Sequence, residues 1–168
     1  MDFTQQVDAV SRAVCKDVLT LASGQPSRTI SLRQTFSTPR PPDRAALWDA
    51  LTKPERLATW FAPVSGDLRT NGRYNIAGNA SGTYGPGAGG VGWDTVLLGL
   101  AMHLRGMAKP SDEEWAASDE AAVFAQRASD KWREAAVQGG EDEAWAKEAG
   151  DRTTAFYVPG WEAGSSKA

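Results

Sequence analysis

Cysteine and histidine are nearly absent from this chain. It carries one of each in 168 residues. A single cysteine makes no internal disulfide. One cysteine with one histidine makes no structural zinc site, and little material is left for histidine-dependent nucleophilic catalysis. Long hydrophobic runs are missing as well. The longest, Val96-Leu97-Leu98-Gly99-Leu100-Ala101-Met102, is far short of the ~20 apolar residues that span a bilayer. The start, Met1-Asp2-Phe3-Thr4-Gln5-Gln6, has neither a basic nor an apolar targeting segment. Excess positive charge is also lacking. With 18 Lys+Arg against 21 Asp+Glu the net charge is −3, which argues against a nucleic-acid partner. A cytoplasmic protein that binds neither nucleic acid nor membrane is expected. Cys15, among apolar residues, reads as a small buried hydrophobe.

Tryptophan and glycine are plentiful, at 7 and 17. Their placement follows the element pattern. Val7, Val10, Val14 and Val18 recur at helical steps and predict a helix over 1–22, stopped at Gly24-Gln25-Pro26. Ile30, Leu32 and Phe36 alternate with polar residues and predict a strand over 29–36. After Pro39, Pro41 and Pro42, Asp43 is placed to cap a helix over 44–51, with Ala46, Leu47, Ala50 and Leu51 inward beside Trp48. Pro54 opens a second short helix over 54–61, with Leu57, Trp60 and Phe61 as its apolar face. Asn71-Gly72 predicts a hairpin between strands at 66–69 and 73–76. From Trp93 a helix is expected, with Trp93, Leu97, Leu100 and Leu104 as one stripe. Ser111 and Glu114 form a capping-box pattern. Ser118 caps a helix striped by Phe124, Ala128, Trp132 and Ala135, and a last short helix covers roughly 142–149. Trp48, Trp60, Trp93 and Trp132 are expected to be buried.

Candidate chemistry is thin. Gly85-Pro86-Gly87-Ala88-Gly89-Gly90 fits the dinucleotide pattern G-x-G-x-x-G. The residues before it do not form the hydrophobic strand that such a site requires, so it reads as a flexible turn. His103 has no partner carboxylate or nucleophile visible in sequence and reads as a surface or helix-end histidine. The acidic runs 112–114 and 141–143 read as helix starts. Asp67 and Asp94 would serve acid–base chemistry only if burial shifted their pKa values. No hydrolase triad order, zinc-protease motif or metal-ligand spacing occurs. No cofactor is expected, and catalysis is not favoured.

Several strings, taken together, carry a family resemblance. Trp48-Asp49-Ala50-Leu51-Thr52-Lys53-Pro54-Glu55-Arg56-Leu57 resembles the W-x-A-L-T-x-P-E-x-L run of the SRPBCC superfamily. It is most similar to the bacterial branch related to the heat-shock-protein-90 ATPase activator homologue. Trp60 to Asp67, Gly72-Arg73-Tyr74, Tyr84 to Gly87 and Gly90 to Asp94 continue the match in order. The resemblance implies an α+β helix-grip fold, in which an antiparallel sheet packs on a long C-terminal helix around an apolar cavity. It divides the chain into an N-terminal helical extension (1–28), a helix-grip domain (29–107) and a C-terminal helical tail (108–168). It also implies a small apolar ligand held by Trp60, Phe61, Tyr74, Trp93, Leu97 and Leu100. A chaperone partner is the alternative reading, and a cyclase or hydrolase the third. One departure stands out. Family members carry a strand-rich segment where this chain has only Thr83 between Gly82 and Tyr84. A sheet shortened in this way exposes an edge. It is expected to dimerise, remain open or be marginal.

Overall fold

The computed structural model describes residues 1–20, 24, 26–35, 43–61, 64–66, 74–75 and 85–163. The chain is α+β and mostly helical. In order it forms α1 (Phe3–Asp8), β1 (Val10–Thr20), β2 (Pro26–Gln34), α2 (Arg44–Thr52), α3 (Pro54–Trp60), β3 (Ser65–Gly66), β4 (Tyr74–Asn75), α4 (Gly85–Leu104), α5 (Asp112–Ala116), α6 (Asp119–Gln138) and α7 (Glu143–Tyr157). β1 pairs with β2, and β3 with β4, as two antiparallel two-stranded sheets. Two compact units result. The first comprises Met1–Thr35, Ala80–Asp94 and Ser111–Ala168, the second Phe36–Asn79 and Thr95–Pro110.

In the first unit α6 is the organising helix. Ser118 caps its start by accepting from the Ala121 N–H at 3.1 Å. Phe124, Ala125, Ala128, Trp132, Ala135 and Ala136 form its buried face. That face packs on α7, β1 and α1. Small alanines let the helices approach closely, and Trp132 and Phe124 are its largest fully buried side chains. Phe3, Trp115 and Phe124 make two edge-to-face ring contacts, with centroids 5.4 and 5.8 Å apart. The Ser111–Glu114 capping box is fully formed.

The helix expected over 1–22 is corrected here. It stops at Asp8, and Val10–Thr20 is a strand. Steps of four place Val10, Val14 and Val18 on one face of a strand as well as of a helix. β-branched residues and the pairing with β2 decide the outcome. The register runs from Val10↔Gln34 to Thr20↔Pro26, with a bulge between Val14 and Val18. Arg28 bridges that bulge, donating to the Cys15 carbonyl at 3.2 Å and the Gly139 carbonyl at 2.9 Å, and pairs with Glu141. Cys15 is exposed rather than buried, because it follows buried Val14 in a strand and so lies on the opposite face.

α4 begins at Gly85, eight residues before the expected start. Glycine is a poor helix former, but here its lack of a side chain is used. At Gly90 a Cβ would lie inside the indole of Trp132. The last helix, expected over roughly 142–149, runs on to Tyr157 and takes in Phe156 and Tyr157.

The second unit holds α2, α3, β3, β4 and the end of α4. Pro54 starts α3 as the sequence predicts. Trp60 Nε1 donates to the Ala50 carbonyl at 3.0 Å and so locks α3 to α2. Leu57, Trp60 and Leu100 make the buried cluster of this unit. Gly99 sits against the Trp60 carbonyl oxygen, where a Cβ would not fit. Of the residues expected inward on α2, Ala50 is buried and Leu47 half-buried, while Ala46 and Leu51 are exposed. The expected hairpin turn at Asn71-Gly72 lies outside the described residues, although Gly66 does pair with Tyr74.

Candidate functional site

The six residues expected to line an apolar site are not equally placed. Trp60 is 5% exposed and Leu100 6%. They pack together with Leu57, and half-buried Phe61, Val64, Val96 and Leu104 surround them. Phe61 stacks on Trp60 with centroids 5.8 Å apart. Leu97 is half-buried on the same helix. Tyr74 lies in β4 by its backbone, and its side chain lies outside the described residues. Trp93 is 44% exposed and belongs to the first unit. Trp48 is also exposed, at 58%. The burial expected of both is thus corrected. α4 buries Val91, Asp94, Leu98 and Ala101, a stripe rotated off the Trp93–Leu97 line and interrupted by a carboxylate. On α2 the inner face is set by Ala50 and Leu47, which turns Trp48 outward.

One polar pair sits beside the Trp60 cluster. Arg56 immediately precedes Leu57 on α3, and His103 immediately precedes Leu104 at the end of α4. Arg56 Nη2 lies 3.3 Å from His103 Nε2. Burial pushes the His103 pKa down from its ordinary value, and the Arg56 charge pushes it further the same way. The imidazole is therefore neutral at pH 7 and accepts at Nε2.

The most completely bonded polar group lies in the first unit, and sequence reading missed half of it. Asp94 Oδ1 accepts from Arg12 Nη2 at 2.9 Å. Asp94 Oδ2 accepts from Arg12 Nε at 3.1 Å and from Trp132 Nε1 at 2.9 Å. Arg12 also donates to the Val10 and Val7 carbonyls. Both side chains of the ion pair are sealed from solvent, at 3% and 0% exposure. Burial outweighs the hydrogen bonds and charge of Arg12 and the hydrogen bond of Trp132, and lifts the Asp94 carboxyl above its usual value. The group fastens β1, α4 and α6 to one another, and three donors already occupy its oxygens. A clue was available in sequence. In a strand, Arg12 lies on the same face as Val10 and Val14, and a charge amid an apolar face requires a counter-charge. Asp67 lies outside the described residues.

An open groove of about 830 Å³ runs between α6 and α7. Its lining mixes Arg133 and Lys147 with Glu134, Asp142 and Glu143 around Val137, Gln138 and Ala144, and none of the six expected residues contributes. Among the described residues no group of three His, Cys, Asp or Glu side chains is placed to hold a metal ion. No helix described is long and apolar enough to cross a membrane.

Compared with known proteins, the chain matches no family model, no curated protein and no solved structure.

Proposed function

We propose that this chain is a shortened helix-grip domain of the SRPBCC type that binds a small apolar ligand beside α4. The ordered strings from Trp48 to Asp94 support the family reading. One structural observation supports the binding reading. Around the buried Leu57–Trp60–Leu100 cluster stands a rim of half-buried apolar side chains, Phe61, Val64, Val96 and Leu104. Covering such a rim is favourable by about 25 cal/mol for each Å² removed from water. The rim is joined by a single neutral imidazole beside a guanidinium, which is equipment for binding and orientation.

The test is a titration of the full chain with decanol, a neutral apolar probe, followed by tryptophan fluorescence. A saturable change is expected, and Trp60→Phe should remove most of its amplitude. An unsaturable or absent response contradicts the reading. So does a response unaltered in Trp60→Phe.

A further inference from the structure

We infer that the ligand is a single-chain amphiphile with a carboxylate head, and that Arg56 holds this head at the α3–α4 rim beside His103. The inference rests on the ligand-binding reading above and names the chemistry of the ligand.

Arg56 presents a solvent-exposed guanidinium at the α3–α4 contact. Guanidinium carries five N–H donors and is never deprotonated in proteins. Elsewhere in the chain, arginines that cross between elements meet carboxylates: Arg12 meets Asp94, Arg28 meets Glu141 and Arg127 meets Asp8. Among the described residues Arg56 meets no carboxylate. Its cross-element contact is the imidazole nitrogen of His103, at 3.3 Å. An arginine fork matches a carboxylate in two parallel hydrogen bonds, which a lone imidazole nitrogen cannot supply. Arg56 is next in sequence to buried Leu57, and His103 to half-buried Leu104, both members of the apolar cluster. A head held here is adjacent to the surface that would take an alkyl tail.

His103 adds a consequence. Arg56 is the charged group that faces it from α3. On its own segment Arg105 follows two residues later, with its Nη1 bonded to the Ala101 carbonyl. A bound carboxylate offsets the Arg56 charge and brings a negative group to the imidazole. Both effects raise the imidazole's proton affinity, and the C-terminal end of α4 favours the charged form too. Binding of the carboxylate is therefore accompanied by proton uptake at His103. Affinity for the carboxylate rises as the pH falls from about 8 to about 6.

The experiment compares decanoate with decanol on the full chain, at about pH 6 and about pH 8. Wild type, Arg56→Gln and His103→Gln are followed by tryptophan fluorescence. At the lower pH decanoate should bind about tenfold more tightly than decanol. Arg56→Gln should abolish that preference. His103→Gln should retain a preference and lose its pH dependence. Equal binding of the two probes to wild type overturns the inference and leaves the apolar-ligand reading standing. A decanoate preference unchanged in Arg56→Gln overturns it as well. Failure of both probes to bind removes the ligand-binding reading itself.

Discussion

The two stretches of α4, before and after residue 95, are packed by different chemistry. In the first unit the helix up to Asp94 is fixed by a buried carboxylate with three hydrogen bonds and by an indole seated on Gly90. In the second unit the helix from Thr95 onward meets Leu57 and Trp60 through Val96, Leu100 and Leu104, with a guanidinium and an imidazole at the rim. The first arrangement is closed: charge is matched and the indole N–H is bonded. The second is half open: apolar side chains are only partly covered, and Arg56 meets no carboxylate among the described residues. A structural site satisfies its own groups, and a binding site keeps some for a ligand. Under the proposed function, the first unit serves as support and the second as the place of recognition.

Breaking the closed node should have the largest effect. Asp94→Ala leaves the Arg12 guanidinium buried without its partner and should cost about 3–5 kcal/mol of stability, read by denaturant unfolding. The double variant Arg12→Leu with Asp94→Leu should recover most of that loss. A double variant as unstable as the single would show that the node does more than neutralise its own charge. The pH dependence sharpens the point. Burial raises the Asp94 pKa above the ordinary 3.8 of the unfolded chain, so between the two values the folded protein holds a proton that the unfolded one has released. Falling pH favours folding through this group, and rising pH through the window removes the contribution. The penalty of Asp94→Asn should accordingly grow as the pH falls through that window.

The two glycines of close approach test that proposed division at a smaller scale. Gly90→Ala and Gly99→Ala each force a methyl group into occupied space, against the Trp132 indole and the Trp60 carbonyl respectively. Each should cost about 1–3 kcal/mol. Only Gly99→Ala should also weaken decanol binding, measured at a temperature where both variants are folded. Equal loss of binding in both would erase the division of labour.

The smallest effect belongs to the exposed pair Asp8–Arg127, with Arg127 Nε donating to Asp8 Oδ1 at 3.0 Å. Solvent screens it, and Arg127→Ala should cost well under about 1 kcal/mol. The Arg127 hydrogen bond holds Asp8 below its ordinary pKa, so this contribution is complete above 3.8 and lost as the pH falls through the folded value. That is the opposite sign to Asp94.

Elements with local signals were legible in the sequence. α2, α3, α5 and α6 announce themselves through Asp43, Pro54, Ser111–Glu114 and Ser118, because caps and first-turn residues act within a few positions. β1 was not legible, because its valines at steps of four suit both periodicities and the pairing with β2 decides between them. The start of α4 was hidden by glycines of low helix propensity, two of which are used for close packing, Gly87 on Thr153 and Gly90 on Trp132. Of the expected site, Trp60, Phe61 and Leu100 do come together, all three belonging to stripes with local helical spacing. Trp93 does not join them, since the buried face of α4 turns with Asp94. The Arg56–His103 contact spans 47 positions and the Arg12–Asp94 pair spans 82, and no local pattern marks either.

The most direct test of the central claim is hydrogen exchange of the full chain with and without saturating decanol, resolved by segment. Recognition by the second unit predicts added protection in 54–61 and 95–104, with 119–157 unchanged. Protection confined to 119–157, or spread evenly along the chain, would contradict it.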